Sequence, residues 1–132
     1  MDFELSEEQN LLKDSVDRFV KENYSPEARI KLSETDLGFS RDHWKQMAEL
    51  GWLGMPFSEE AGGFGGSAVD TMVMMESIGK GLVLEPFLAT VILGGGLITA
   101  AGSEAQIEGI IPAVIEGNMM LAFGYAEAQS RF

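Results

Sequence analysis

The chain has 132 residues and a formal net charge of −12, and between Lys45 and Arg131 its only basic residue is Lys80. That length suits one domain with a core of its own. The charge argues against nucleic acid and anionic membrane as partners, because both are held by clustered Lys and Arg. With no cysteine, the chain has no disulfide and no thiolate chemistry, and with His43 as the single histidine an ordinary zinc site or a Ser-His-Asp triad of its own is nearly ruled out.

Ser6-Glu7-Glu8-Gln9 reads as a capping box, with two carboxylates at the positive helix end. The helix it opens sets Leu12, Val16, Phe19 and Val20 on one face and is expected to end near Asn23. Ser25-Pro26 starts a second, shorter helix that fades near Glu34, with proline at its first position. Ser40 opens a third with Trp44, Met47 and Ala48 on its apolar face, and Gly51 stops it.

Gly51 to Ser67 is a glycine-rich loop with apolar anchors at Trp52, Leu53, Met55, Phe57 and Phe64. A flexible linker would lack such anchors, so the loop is expected to be packed. Gly62-Gly63-Phe64-Gly65-Gly66 has the composition of a phosphate cradle, but a cradle needs a preceding strand, and a structural loop is the reading preferred. Ser67 then caps a fourth helix, Ala68–Gly79, with Val69, Met72, Val73 and Ile78 as core and with Met74 and Met75 making it apolar on most sides.

Pro86 to Ala101 carries no charge. It is too short to span a bilayer, which takes about 20 apolar residues, and Phe87–Ala101 reads as a buried fifth helix. Ser103-Glu104-Ala105-Gln106 caps a sixth, which Gly109 and Pro112 are expected to interrupt. Met119–Tyr125 is a continuous apolar run with two aromatics, the pattern of a strand. A lone strand cannot pair its backbone, so the chain reads as stopping just after a β-type domain begins. The expected fold is therefore all-α: a bundle of about six helices over residues 1–117, with a short extended segment in 118–132.

Chemistry-bearing residues are sparse. Glu59 and Glu60 read as solvated or capping carboxylates. Glu76 reads as a hydrogen-bonded structural carboxylate, and His43 as exposed and inert. Met72, Met74, Met75, Met119 and Met120 are flexible core fillers. Phe87, Thr90, Val91 and Gly94 share one helical face, which ordinary packing explains. Met1-Asp2-Phe3-Glu4 has neither the basic nor the apolar stretch of a secretory signal, so a cytoplasmic location is expected.

Several fragments in order resemble one family. Leu50-Gly51-Trp52-Leu53-Gly54-Met55-Pro56, followed by Glu59-Glu60-Ala61-Gly62-Gly63-Phe64-Gly65, looks like the hallmark of the N-terminal domain of flavin-dependent acyl-CoA dehydrogenases. Glu76-Ser77-Ile78-Gly79, Leu84-Glu85-Pro86-Phe87, Ala101 to Gln106, Ile111-Pro112 with Glu116-Gly117, and Leu121 to Glu127 resemble its later steps. The resemblance implies a helical–β–helical enzyme that uses FAD to turn an acyl-CoA into a 2-enoyl-CoA. An electron-transfer flavoprotein or similar acceptor then reoxidises the flavin, and the protein is a homo- or hetero-oligomer. It implies that Phe87, Thr90, Val91 and Gly94 wall the acyl pocket and that Phe123, Tyr125 and Ala126 meet the flavin edge. Ala126 stands where the family usually has threonine, which removes a hydroxyl to the flavin. The family's base lies on its last domain, so no catalytic residue is assigned here. A non-catalytic helical interaction module on the same scaffold is the alternative. Gly94-Gly95-Gly96 costs a helix about 1 kcal/mol per glycine. Either a close neighbour or a widened pocket accounts for that, and the pocket is preferred, implying a branched, aromatic or polycyclic acyl group.

Overall fold

The computed structural model describes residues 4–129. Six α-helices carry the fold: α1 Glu7–Asn23, α2 Pro26–Ser33, α3 Arg41–Glu49, α4 Ala68–Lys80, α5 Gly96–Ala101 and α6 Glu104–Ile115. The expected starts are where the serines put them. Ser6 with Gln9, Ser67 with Asp70 and Ser103 with Gln106 form reciprocal capping boxes, and Ser25 and Ser40 each accept from the third backbone N–H on. Gly51 leaves α3 at φ +78°, a backbone that favours glycine.

α1 packs along α4, and the two enclose a core with α3, α6 and the loop. Val16 and Phe19 come from α1, Trp44 and Met47 from α3, Val73, Met74 and Ile78 from α4, and Ile111 and Val114 from α6. Trp52, Leu53 and Phe57 fill the space between. Edge-on packing of Phe19 against Trp52, 5.4 Å between ring centres, ties α1 to the loop.

Four expectations about the helices and the loop need correction. Val69 and Met72 are exposed, because they share a face with Glu76 while Val73, Met74, Ser77 and Ile78 turn inward. Phe64 is exposed too, although its ring lies over Gly51 and Gly54. α6 runs unbroken through Gly109 and Pro112: Ile111 and Val114 are buried on either side of the proline, and packing outweighs the lost hydrogen bond. The fifth helix is not one α-helix. Leu88–Gly95 is π-helical and passes directly into α5, and Leu88, Leu93 and Leu97 remain exposed on its outer side.

Beyond α6, Gly117 turns at φ +75°, and the N–H groups of Asn118 and Met119 both donate to the Ala113 carbonyl. Met119–Tyr125, expected as a strand, has no regular secondary structure and no strand beside it among the described residues. The absence of a partner strand is the physical reason. Of the segment 118–132, residues 130–132 lie outside the described residues, as do residues 1–3, on which the absence of a signal was read. Among the described residues, no helix is long and apolar enough to cross a membrane.

Candidate functional site

The glycine loop is built from its own amides. The N–H of Gly62 donates to Glu59, that of Gly63 to Ser58, Phe64 to Gly54, Gly65 to Phe57 and Gly66 to Met55. A phosphate cradle needs such N–H groups free, and here they are spent on loop carbonyls. Gly63 packs tightest: a Cβ there would stand 2.3 Å from the Phe57 carbonyl oxygen. Glu59 and Glu60 are exposed in a 3₁₀ turn, Glu59–Ala61, as expected for solvated carboxylates. Glu76 is exposed and pairs with Lys80 one turn on, so the lysine holds its carboxyl below the usual range.

Phe87, just ahead of the π segment, and Thr90, Val91 and Gly94 within it are all buried and form its inner surface. Thr90 uses it to hold the chain beyond α6. Its hydroxyl donates to the Leu121 carbonyl and accepts from the Leu121 N–H, both at 3.2 Å. One side chain thus does for Leu121 what a neighbouring strand would do. A Cβ on Gly94 would stand 2.6 Å from the Leu121 Cβ. The space expected as a widened pocket at Gly94 is therefore taken by close packing, and Gly95 is equally close to the Phe57 ring, at 2.5 Å.

The open glycine is Gly96, where a Cβ would meet nothing within 4 Å. It lines a pocket of about 250 Å³ with Val91, Ile92 and Thr99 on one wall and Phe57 and Ala68 on the other. A larger groove, about 640 Å³, runs between the 3₁₀ turn and α6. Phe123, Tyr125 and Ala126 lie exposed on the extended segment. Leu121, four residues before Tyr125, is the point that fixes them to the helices.

One cluster was missed from sequence. Glu85 is buried, at 4% exposure. The Tyr24 hydroxyl donates to its Oε2 and the Ser40 N–H to its Oε1 at 3.1 Å. His43 Nδ1 lies 3.3 Å from Oε1, within ion-pair range but not aligned as a hydrogen bond. His43 is therefore not exposed and inert; its ring packs edge-on against Phe19, 5.5 Å between centres. The available signal was a carboxylate set at the edge of an uncharged run, but Tyr24 is 61 residues away. Among the described residues, no group of three or more His, Cys, Asp or Glu is placed to hold a metal.

This cluster has a measurable consequence. Burial pushes the Tyr24 hydroxyl above its ordinary value, and the Glu85 carboxylate adds to the shift. Below about pH 10 the hydroxyl is protonated folded and unfolded alike. Above that, the unfolded state loses the proton first, so stability falls by about 1.4 kcal/mol per pH unit until the folded state ionises too. Denaturant titrations from pH 8 to 11.5 are expected to show this slope, and Tyr24→Phe is expected to be flatter, keeping only what Lys13, raised by its partner Asp17, contributes in the same direction.

An all-helical domain with caps at these positions, this loop and an extended tail pinned to its fifth helix defines a recognisable class. Residues 6–118 match the family model described as the acyl-CoA dehydrogenase N-terminal domain. The chain belongs to the acyl-CoA dehydrogenase family. It is 33% identical over 129 residues to the probable acyl-CoA dehydrogenase YngJ of Bacillus subtilis, covering 96% of this chain and 33% of the relative. Among solved structures it superimposes on the ChsE4–ChsE5 complex of Mycobacterium tuberculosis with a TM-score of 0.84 at 26% identity, over 92% of this chain and 34% of the other. Butyryl-CoA dehydrogenase of Megasphaera elsdenii gives 0.80 at 26% identity, over 98% and 35%. The chain spans about a third of the length of the curated relatives it matches.

Proposed function

We propose that this chain is the N-terminal part of a flavin-dependent enzyme that converts an acyl-CoA to a 2-enoyl-CoA. The observation that carries the proposal is the family's glycine loop, folded as a packed structural unit beside a helix with an open pocket. The acyl tail lies against the π segment and α5. Phe87, Thr90, Val91 and Gly94 form the wall that holds the extended segment in place, and the pocket beside Gly96 receives the tail's end. The catalytic base belongs to a part of the protein beyond this chain.

The residues present fit one edge of FAD. Phe123 and Tyr125 offer exposed aromatic surface on extended backbone, and Ala126 can contribute a backbone N–H but no hydroxyl. When bound, the flavin supplies the hydride acceptor. An electron-transfer flavoprotein or a similar acceptor takes the electrons on. The protein is cytoplasmic and assembles with copies of itself or with a related chain. Val69, Met72, Leu88, Leu93 and Leu97 are all exposed, and covering such side chains at an interface supports association.

The 132-residue chain supplies one edge of the flavin site and no base, so by itself it is expected to retain no FAD through gel filtration and to reduce no artificial acceptor with any acyl-CoA. The full-length protein is expected to purify yellow and to do both. A colourless, inactive full-length protein would favour the helical interaction module instead.

A further inference from the structure

Glu85 is buried, yet an apolar side chain would fill its place without the cost of dehydrating a carboxylate. What a carboxylate adds is direction, because its oxygens meet particular donors at particular angles. The donors come from two helices. Tyr24 is the C-cap of α1, and Ser40 is the N-cap of α3, whose own hydroxyl caps the N–H of His43. The chain leading to Glu85 is held as well: Arg29 Nε of α2 donates to the Leu82 carbonyl at 2.8 Å, and the Leu84 N–H donates to the Tyr24 hydroxyl at 3.4 Å.

The other side of Glu85 leads straight to the site. Pro86 has a fixed φ, and the Phe87 N–H donates back across it to the Glu85 carbonyl at 2.8 Å. Phe87 is the first residue of the buried face, and the π segment begins with Leu88. A short stiff arm thus joins the carboxylate to the helix origin. Rotation matters here, since slipping a helix by one residue turns its faces by roughly a right angle. A turn of that size would carry the Thr90 hydroxyl off Leu121.

We infer that Glu85 is a positioning residue: anchored on α1 and α3, it sets the origin and rotation of the π segment, and so brings Thr90 to Leu121 and the wall of the Gly96 pocket into register. The part that concerns the acyl tail rests on the function proposed above; the part that concerns the π segment does not.

Residue-resolved amide hydrogen exchange on the 132-residue chain separates the two. In Glu85→Leu, protection at residues 92–95 and at Leu121 is expected to fall at least tenfold more than protection in α1, α4 and α6. Glu85→Gln keeps an oxygen for the Ser40 N–H and is expected to restore most of it. A uniform loss across all helices, or a glutamine no better than leucine, would overturn the inference and leave Glu85 an ordinary buried polar residue. Should Glu85→Leu fail to fold, Tyr24→Phe removes one donor only; the same local pattern, smaller, is expected, and a uniform one overturns the inference. In the full-length protein, Glu85→Leu is expected to lower kcat/KM for an acyl-CoA at least fivefold, and Glu85→Gln is expected to recover it to within twofold of wild type. A glutamine variant as impaired as the leucine one overturns the link to the acyl tail. A wild-type protein without turnover would instead refute the proposed function, and the exchange pattern would still decide the positioning role.

Discussion

Gly63→Ala is expected to lower the stability of this chain by about 3 kcal/mol or more, a large share of what a small domain has. The methyl group would arrive 2.3 Å from the Phe57 carbonyl oxygen and 2.6 Å from that of Gly54. Both are backbone atoms, so no side-chain rotation makes room. Neither can withdraw cheaply. The Gly54 carbonyl accepts from Phe64 and the Phe57 carbonyl from Gly65, while Leu53 and Phe57 are locked in the core on either side. Gly79 in α4 is the control, since a Cβ there meets nothing within 4 Å. Gly79→Ala is expected to gain roughly 0.5–1 kcal/mol from helix propensity alone. Urea titrations of both variants give the comparison. A Gly63→Ala unfolding free energy within 1 kcal/mol of wild type would mean the loop yields easily and is no rigid unit.

The same loop shows what could be read from sequence and what could not. Its packed character was legible, because Trp52, Leu53 and Phe57 are too apolar for a linker, and all three are buried. Helix starts were legible for a local reason: a serine and its partner three residues on decide them with no tertiary help. Which face of α4 turned inward was not, because its methionines suit either side and only the position of α1 chooses. Pro112 misled in the same way, since a local cost was outweighed by burial of Ile111 and Val114. The site was read in part. Phe87, Thr90, Val91 and Gly94 were grouped from α-helical spacing, and all four are buried, although the segment is π-helical. That Leu121 would lie against them, or that Tyr24 and Ser40 would meet Glu85, depends on contacts 31, 61 and 45 residues apart in sequence. No local pattern encodes such contacts.

The three glycines of the fifth helix were read as one feature, and each turns out to have its own reason. Gly94 admits Leu121, Gly95 admits the Phe57 ring, and only Gly96 faces open space. Substitutions should therefore part company. Leucine at 94 has no room: its Cβ would already stand 2.6 Å from the Leu121 Cβ, so the segment held by Thr90 is pushed away. In the 132-residue chain, limited proteolysis after Gly117 is expected to quicken at least tenfold for Gly94→Leu. In the full-length protein the displaced segment is the one that carries Phe123 and Tyr125, so under the function proposed above turnover of every acyl-CoA should fall together. Leucine at 96 enters the pocket instead, and a helix accepts it more readily than glycine. Folding and proteolysis are expected to stay as in wild type. The shortened pocket should then discriminate by size, since one methylene too many in a filled apolar site costs about 10–200-fold in specificity. For Gly96→Leu, kcat/KM for a branched or polycyclic acyl-CoA is expected to drop at least tenfold relative to a short straight one. Equal loss for both substrates in Gly96→Leu, with the fold intact, would place the end of the acyl tail elsewhere and reduce the Gly96 pocket to unused space.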